Sequence, residues 1–361
     1  MMYLVRFLQE IYLDRINRLP DKKKRTVLIT GAAGFIGFHI SQKLLKEGWR
    51  VIGLDCLSNY YDISLKKSRE SMLFKFNDYR SVHGKLETKN LLLDLFKEEN
   101  PQIVINLAAQ AGVRYSIENP RDYLESNING TFELLEAARA YPPKHMLLAS
   151  TSSAYGANLI KPYKETDKAD HQVSFYAATK KATENMAHSY AHLYNIPITM
   201  FRFFTVYGPW GRPDMALFRF TKAGLSGKPI DVYNYGKMKR DFTFIDDLIE
   251  GIACLISKPP NFCDADNKEL TKIDSLSPVA PFRVVNIGNS RPVKLIDFIE
   301  ELEKALGIKI EKNYLKMQAG DVFETWADTQ LLHELTGFTP RISVEEGIKK
   351  FIDWYRKYYN D

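Results

Sequence analysis

The sequence predicts an α/β protein with a doubly wound parallel sheet, followed by a smaller C-terminal domain. Its first strong signal is the apolar, β-branched run 26–30, which leads through Gly31, Gly34 and Gly37 into a segment with helical apolar spacing. Short apolar runs then alternate with amphipathic segments up to about residue 203. That alternation is typical of a parallel sheet covered by helices on both faces. Beyond it the pattern weakens, so a second, irregular part is expected.

The individual elements follow in chain order from the same patterns. Strands are expected at residues 26–30, 50–55, 79–83, 102–107, 145–150 and 198–203. Helices are expected at 38–48, within 57–76, and at 90–99, 123–140 and 174–194. In the C-terminal part we expect strands at 229–235, 240–245 and 283–287, helices at 294–306 and 344–359, an extended stretch at 321–328, and a polar surface loop at 258–282.

The glycine-rich turn after the first strand predicts a dinucleotide site. Glycine tolerates positive φ, and it lets backbone N–H groups approach a diphosphate at a helix N-terminus. The second strand ends at Asp55, eighteen residues after Gly37. A carboxylate there accepts hydrogen bonds from the ribose hydroxyls and repels a 2′-phosphate. The expected cofactor is therefore NAD rather than NADP.

Composition narrows the function classes. The chain has 361 residues and a net charge of +6, partly from the run 22–25, which we interpret as a solvated lead-in rather than a nucleic-acid patch. Its three cysteines have no metal-site spacing, and their odd number argues against a disulfide framework, so a cytoplasmic protein without a metal is expected. No run reaches the ~18 apolar residues of a membrane span. Residues 1–25 are expected to form an extra helix or a tail, or else a peripheral membrane anchor.

The sharpest chemical signal is Tyr176 with Lys180 and Thr151. Four residues apart on a helix places the tyrosine and the lysine on one face. A cationic neighbour, together with the positive nicotinamide of the cofactor, stabilises a phenolate and so lowers the tyrosine pKa towards neutrality. A phenolate beside a sugar hydroxyl is a general base, and hydride can leave the same carbon for the cofactor. Thr151 follows the strand at 145–150 and could hold that hydroxyl.

At these residues the chain resembles the extended short-chain dehydrogenase/reductases, which have a Rossmann sheet. Within them it is most similar to the bacterial and plant UDP-glucuronate 4-epimerases. The resemblance runs from about Thr26 to Tyr359. It is carried by GAAGFIG, NLAAQAGVRYSIENP, ASTSSAYG, SFYAATKK, RFFTVYGPWGRPDMA and RDFTFIDD. The first and fourth motifs are common to the superfamily, whereas AAQAGVRYS with FFTVYGPWGRPDMA is much narrower.

The resemblance implies the site residues and the domain division. Thr151, Tyr176 and Lys180 would be the catalytic triad. NAD would contact Gly31, Gly34, Phe35, Ile36, Gly37, Asp55, Asn59, Leu107, Ala108, Ala109, Gln110, Asn127, Tyr176 and Lys180. The UDP-sugar would contact Arg114, Thr151, Ser152, Ser153, Thr205, Arg212, Met215, Ile230, Val232, Asn234, Arg240 and Asp321. The NAD-binding domain would cover 26–205, with returns near 240–257 and 283–290, and the substrate-binding domain mainly 206–361.

The resemblance also implies a homodimer. In relatives, the helices corresponding to those after Tyr123 and Ser174 pair across a two-fold axis as a four-helix bundle. Apolar residues on these two helices are the expected interface: Leu134, Leu135, Met186, Tyr190 and Leu193. The alternative is that these residues face the sheet. One departure from the family lies after the third strand, where Lys85 stands at the usual place of an acid that holds the adenine amine; Glu87 or backbone would then take that role.

The neighbours of Thr151 distinguish related reactions. Sugar-nucleotide 4,6-dehydratases carry Asp-Glu after their threonine, and UDP-glucuronate decarboxylases usually carry a glutamate two residues after theirs. This chain has Ser152 and Ser153, so oxidation at C4 is expected to be reversed rather than elaborated. The expected function is 4-epimerisation of UDP-glucuronate to UDP-galacturonate, a step of polysaccharide biosynthesis. The alternatives are 4-epimerisation of UDP-glucose or a UDP-N-acetylhexosamine, and a non-catalytic nucleotide-sugar sensor.

Overall fold

A computed structural model describes residues 24–261, 273–318 and 321–360. The extra helix or tail predicted for the N-terminal 25 residues lies almost wholly outside them. The strands are β1 Thr26–Thr30, β2 Arg50–Asp55, β3 Tyr79–His83, β4 Ile103–Asn106, β5 His145–Ala149, β6 Ile198–Phe203, β7 Thr205–Tyr207, β8 Ile230–Tyr233, β9 Lys239–Phe244, β10 Phe282–Ile287, β11 Pro292–Lys294, β12 Lys312–Leu315 and β13 Glu324–Thr325. The helices are α1 Phe35–Lys46, α2 Ile63–Leu73, α3 Leu91–Glu99, α4 Gly130–Ala140, α5 Phe175–Tyr194, α6 Ala216–Leu225, α7 Ile245–Ile256, α8 Leu295–Leu306, α9 Gln330–Thr336 and α10 Val344–Tyr359.

The central sheet has seven strands in the order β10-β6-β5-β4-β1-β2-β3, and every neighbouring pair is parallel. This confirms the predicted α/β fold of the Rossmann type. Strand order reverses at β1, because β2 and β3 follow on one side while β4 to β6 follow on the other. Thr30, at the end of β1, lies opposite Leu54 of β2 and Asn106 of β4. Ligands of such sheets bind at this reversal, outside the carboxyl ends of the strands.

Two apolar layers cover the sheet. Phe38 of α1 and Ile252 of α7 belong to the layer on one face. Leu134 of α4 and Ala187 of α5 belong to the layer on the other. Among the described residues, no helix is long and apolar enough to cross a membrane.

The smaller C-terminal part is built from short strands and the last helices. One sheet joins β11, β9 and β13, with β7 paired to β9, and a second joins β12 to β8. Phe298 of α8 stacks on Phe242 of β9 with ring centroids 4.0 Å apart. Phe351 of α10 packs on Phe218 of α6, with 6.0 Å between ring centroids. These aromatic contacts pack helices α8 and α10 against strand β9 and helix α6.

Three expectations need correction. The predicted surface loop 258–282 returns to the core, since Ser277 and Ala280 are buried and Ser277 N–H donates to the carbonyl of Phe282. The helix expected at 123–140 is not continuous: the short α-helix Pro120–Tyr123, itself preceded by another at Tyr115–Glu118, is followed by the π-helix Leu124–Asn129, and the α-helix resumes at Gly130.

The third correction concerns the expected dimer interface. Leu134 and Leu135 are fully buried against the sheet, because their positions on α4 face the core layer rather than solvent. Met186 and Tyr190 are partly buried and pack on that same layer. Of the five residues named, only Leu193 is well exposed, at 63%.

Candidate active site

The turn between β1 and α1 is packed so tightly that only glycine fits. Gly31 has φ +69°, and a Cβ on it would lie 2.9 Å from the backbone nitrogen of Ala108. A Cβ on Gly37 would lie 2.0 Å from the carbonyl oxygen of Gly31. No side chain caps the N-terminus of α1 at Gly34. The N–H groups of that first turn therefore face a cradle that suits the diphosphate of a dinucleotide.

Asp55 closes this cradle from the end of β2. Its Oδ2 accepts the N–H of Ala33 at 3.0 Å, and its Oδ1 accepts the N–H of Leu57 at 2.8 Å. The carboxylate thus fixes both the glycine-rich turn and the loop after β2, and its remaining lone pairs suit ribose hydroxyls. Asn59 is exposed on that loop, Phe35 is buried, and Ile36 packs partly buried on the core.

Replacing Asp55 by alanine is expected to weaken NAD binding by ~10-fold or more and to narrow the preference for NAD over NADP, because a hydrogen-bond acceptor and a repelling charge are lost together. Titration of both cofactors into the cofactor-free protein measures this. Asp55→Asn, which keeps one acceptor oxygen but no charge, is the matched control and should lose discrimination more than affinity. Unchanged binding of both cofactors would remove Asp55 from the site.

The far wall of the cradle is held by Asn127, a buried residue of the π-helix. Its Oδ1 accepts the N–H of Gln110 at 2.9 Å, and its Nδ2 donates to the carbonyl of Gln110 and to Oγ1 of Thr179. π-Helical turns often mark functional sites, because the extra residue re-aims a side chain. Nε2 of Gln110 is buried, and no hydrogen-bond partner for it occurs in the described part of the chain. An unused buried donor beside the half-buried segment Leu107–Ala109 fits a bound cofactor.

The proposed catalytic side chains meet beyond β5 and at the start of α5. Ser174 caps α5, since its Oγ accepts the N–H of Ala177 at 3.1 Å. Tyr176 is therefore the second residue of the helix. Thr151 follows β5 and is buried, as is Lys180. Thr151 lies close enough to Tyr176 to lower the pKa of its phenol. The structure therefore brings the three residues named from the sequence to one place.

The pKa of Tyr176 in the chain without a cofactor is governed by burial. Burial raises the pKa of this phenol, and the hydrogen bond with Thr151 and the charge of Arg212 lower it only in part. The pKa of Lys180 is lowered to about 8, because burial penalises its charge, while Glu184 acts in the opposite direction. For Tyr176 in the chain by itself, burial thus outweighs the lowering effects of Thr151 and Arg212. The fixed positive charge of an oxidised nicotinamide is the missing influence that would favour the phenolate.

A buried ion pair lies beneath these residues. Arg202 of β6 donates through Nε and Nη2 to the two carboxylate oxygens of Glu184, at 2.9 and 2.8 Å. Ser150 Oγ donates to the same carboxylate at 2.6 Å. Glu184 is one helical turn past Lys180, and Lys181 pairs with it at 3.0 Å. Sequence reasoning missed this layer, although Tyr-x-x-x-Lys-x-x-x-Glu spacing on one helix face was a usable signal.

Glu165 is a second buried acid that the sequence did not reveal. Its carboxyl accepts the N–H of Asn286 at 2.8 Å. Burial raises the pKa of Glu165 to about 8, against which the hydrogen bond from Asn286 acts only weakly. The carboxyl is therefore largely protonated at neutral pH.

This pKa predicts a pH dependence of stability. The folded state binds the Glu165 proton more tightly than the unfolded state, whose value is near 4.5. Its stabilising contribution is present below pH 4.5 and is lost as pH rises towards 8. The free energy of unfolding of Glu165→Gln, relative to that of the parent protein, should therefore rise by roughly 2–4 kcal/mol between pH 5 and pH 8. Urea unfolding at both pH values measures it; a constant difference would show that Glu165 titrates normally.

The loops after β5 and β6 carry residues that are expected to contact the UDP-sugar, and we call this region the substrate side. Ser152 and Ser153 begin the 3-10 turn Ser152–Tyr155, in which Ser153 N–H donates to Oγ1 of Thr151 at 3.2 Å. Thr205 opens β7, two residues beyond β6. Because β5 and β6 are neighbours in the sheet, all three hydroxyls lie at the same edge. Each of the three residues is partly exposed.

Arg212 lies across from them in the segment that follows β7. It donates through Nε and Nη2 to Asp214, at 3.0 and 2.6 Å, and its Nη2 lies 3.4 Å from the carbonyl of Ala111. Its guanidinium carbon is 5.8 Å from the ring centroid of Tyr60. Sequence reasoning named Arg212 but missed Asp214, which partly neutralises it. Met215 precedes α6 as its N-cap residue.

The other predicted substrate residues form a second group near β8, β9 and residue 321. Arg114 pairs with Asp321 at 3.3 Å and lies 4.7 Å from the ring centroid of Tyr233. Arg240 donates to the carbonyls of Lys239 and Phe323, and burial lowers its pKa against the opposing charge of Asp321.

Not every predicted residue faces the site. The side chains of Ile230 and Val232 are buried in the apolar core, so only their backbone could border a nucleotide. Asn234 follows β8 in a left-handed conformation, with φ +48°. Lys85 is well exposed, with its ammonium 3.9 Å from Glu87. Within the described ranges, no group of three or more His, Cys, Asp or Glu side chains could hold a metal.

Comparison with known proteins gives consistent matches. The model of the NAD dependent epimerase/dehydratase family matches residues 27–265. A probable UDP-glucuronate 4-epimerase of Rhizobium meliloti is 52% identical over 334 residues, which cover 92% of this chain and 97% of that protein.

Solved structures with the same fold agree. The crystal structure of UDP-glucuronic acid 4-epimerase from Bacillus cereus, in complex with UDP-glucuronic acid and NAD, has a TM-score of 0.81 and 32% identity, covering 92% of this chain and all of that one. UDP-glucose 4-epimerase from Thermotoga maritima, with UDP-glucose, has a TM-score of 0.77 and 28% identity, covering 92% and 99%.

Proposed function

The chain belongs to the NAD dependent epimerase/dehydratase family, and from that premise we propose that it is an NAD-dependent 4-epimerase that interconverts UDP-glucuronate and UDP-galacturonate. Relatives named as UDP-glucuronate 4-epimerases match 92% of the chain. The glycine cradle, Asp55 and the unused donor of Gln110 support NAD as the cofactor.

In the proposed mechanism Tyr176 takes the proton of the C4 hydroxyl, which Thr151 holds by a hydrogen bond. Bound NAD supplies the chemistry of accepting hydride from C4 and later returning it. Lys180 keeps positive charge beside the phenolate. The 4-keto sugar then presents its other face, hydride returns to C4, and Tyr176 gives back the proton. No net oxidation results, so no external reductant is needed.

The observation that carries this choice is the turn after Thr151. A dehydratase or a decarboxylase needs an additional acid or base to move protons at C5 or to assist the loss of CO₂, and the adjacent positions here are Ser152 and Ser153. Two acids of the candidate site, Glu184 and Asp214, are already engaged by Arg202 and Arg212. The 4-keto sugar is therefore reduced again rather than processed further.

The decisive experiment incubates the purified protein with UDP-glucuronate and no added reductant. We expect a mixture of UDP-glucuronate and UDP-galacturonate, with no NADH accumulating. The same ratio of the two should be reached when the reaction starts from UDP-galacturonate. Formation of a UDP-4-keto sugar or a UDP-pentose as the main product would refute the proposal.

A second candidate is 4-epimerisation of a neutral UDP-hexose, because the similar Thermotoga maritima enzyme is a UDP-glucose 4-epimerase. Turnover of UDP-glucose or a UDP-N-acetylhexosamine at higher kcat/KM than UDP-glucuronate would favour it. A protein that binds NAD and UDP-sugar without any turnover would instead be the sensor considered from the sequence.

We further propose a homodimer built on α4 and α5, acting in the cytoplasm to supply nucleotide sugars for polysaccharide synthesis. Exposed apolar side chains on and next to these helices support the dimer: Leu124, Phe132, Leu193 and Tyr194. Cys56 and Cys254 are free thiols, which suits a reducing compartment. Sedimentation at micromolar concentration tests the assembly; a monomer would refute it. We also propose the division into an NAD-binding part, 26–205 with its later returns, and a mainly C-terminal substrate part.

A further inference from the structure

Arg69, in the middle of α2, is a fully buried arginine whose hydrogen-bond partners are all neutral. Its Nη1 donates to the carbonyl of Ala33 at 3.0 Å and to the hydroxyl of Tyr61 at 2.9 Å. Its Nη2 donates to the carbonyls of Trp210 and Gly211, at 2.6 and 3.2 Å. Within residues 24–261, 273–318 and 321–360, no carboxylate hydrogen-bonds to or pairs with it. A buried cation held only by neutral acceptors is costly, so a role beyond packing is indicated.

These acceptors belong to two functional loops that are far apart in sequence. Ala33 is in the glycine-rich turn of the proposed NAD site, and its N–H is held from the other side by Asp55. Trp210 and Gly211 immediately precede Arg212, the cation of the substrate side. One guanidinium therefore ties the cofactor turn to the substrate segment 208–212.

The substrate segment depends on such anchors because its backbone is unusual. Trp210 has φ +61°, in the left-handed region that a bulky residue seldom adopts. A Cβ on Gly211 would lie 2.9 Å from the carbonyl oxygen of Gly208. A second link runs from α1, where His39 Nε2 lies 3.0 Å from the carbonyl oxygen of Pro209. Both anchors come from the cofactor half, so the conformation of 208–212 is set by the elements that would hold NAD.

We propose that Arg69 is a positioning residue that couples NAD binding to the placement of Arg212. Cofactor binding fixes the glycine-rich turn, the turn fixes Arg69 through Ala33, and Arg69 fixes the backbone on which Arg212 is carried. Segment 208–212 then becomes ordered for the anionic part of the sugar nucleotide only when the cofactor is in place. The sugar-nucleotide arm of this inference rests on the proposed function, whereas the cofactor arm does not.

An arginine is needed because the fork must reach three carbonyls at once. Arg69→Lys keeps the charge but has one terminal nitrogen, so it cannot hold the turn and the segment together. We therefore expect Arg69→Lys to bind NAD within ~3-fold of the parent protein but to raise KM for UDP-glucuronate by ~10-fold, with kcat changed less. Arg69→Met should weaken both NAD binding and UDP-glucuronate binding by ~10-fold or more.

The test combines NAD titration, steady-state kinetics and hydrogen exchange of residues 208–214. NAD alone, without any sugar, should slow exchange of 208–214 in the parent protein, and this protection should be lost in Arg69→Lys. The control is Arg50→Met, which removes an arginine paired with Glu99 at the opposite end of β2 and should leave all three readouts unchanged.

Two results would overturn the coupling. One is an exchange rate at 208–214 that NAD does not alter in the parent protein, a measurement that needs no variant to fold. The other is Arg69→Lys with parental KM and parental protection. If the parent protein does not turn over UDP-glucuronate, the proposed function is refuted instead. The NAD titration and the hydrogen exchange measurements would still decide the role of Arg69.

Discussion

Replacing Tyr176 by phenylalanine should lower kcat for UDP-glucuronate epimerisation by ~100-fold or more while leaving the fold and NAD binding intact. The ring and its packing against Tyr123, with centroids 5.9 Å apart, are retained. What is lost is the phenol oxygen that we propose exchanges a proton with the C4 hydroxyl, the oxygen whose pKa the nearby Thr151 lowers. The loss should appear in kcat more than in KM, because proton transfer belongs to the transition state. Product formation and NAD content per protomer are the measurements.

Tyr190→Phe is the matched control on the same helix. Its hydroxyl donates to Glu136 at 2.6 Å, a contact outside the cradle and the substrate loops. It should retain parental turnover. That result would show that the loss in Tyr176→Phe comes from the hydroxyl at position 176 and not from removing any tyrosine hydroxyl on α5. Near-normal turnover of Tyr176→Phe would show that another group moves the proton.

The central sheet was predictable because its strands are separate apolar runs bounded by turn residues. Buried parallel strands such as β1, β2 and β6 have to be apolar along their whole length, and that pattern is local. The C-terminal part was harder. Helix α7, Ile245–Ile256, directly continues strand β9, so its apolar residues read as the end of a strand, and the three-residue strands β7 and β11 are too short to show a period.

The residues of the candidate site also differ in whether a local sequence pattern predicts them. Residues inside contiguous motifs were named from the sequence, and the structure brings Thr151, Tyr176 and Lys180 together. The supporting partners were missed, because pairing between positions far apart leaves no local pattern: Glu184 with Arg202, and Arg69 with the carbonyls near Trp210. The effect of burial on the pKa of Tyr176 was absent from the sequence-based reasoning for a related reason. A charged neighbour is visible in a sequence, whereas the degree of burial that opposes it depends on the whole fold.

The second large effect is expected at Ser153 and Thr205, whose hydroxyls we propose hold the substrate carboxylate. Oxidation of C4 in glucuronate places a ketone β to the C6 carboxylate, and β-keto acids lose CO₂ readily. An epimerase therefore has to restrain that group until hydride returns. Ser153 and Thr205 follow neighbouring strands, on the same edge as Thr151, and both are partly exposed. Hydroxyls that donate to the carboxylate hold it charged and near the sugar plane, which disfavours C–C cleavage.

The double variant Ser153→Ala with Thr205→Ala should therefore lower epimerisation of UDP-glucuronate by ~10-fold or more. It should also release UDP-4-keto-pentose, CO₂ and NADH in equal amounts, since hydride stays on the cofactor once the carboxylate has left. The neutral sugar UDP-glucose, where it is accepted, is the internal control and should be affected much less, because it has no carboxylate to hold. Chromatography of the nucleotide sugars and absorbance of NADH measure both products. Equal losses on acidic and neutral sugars with no CO₂ would overturn this role, and with it the choice of UDP-glucuronate as the substrate that these loops are built to hold.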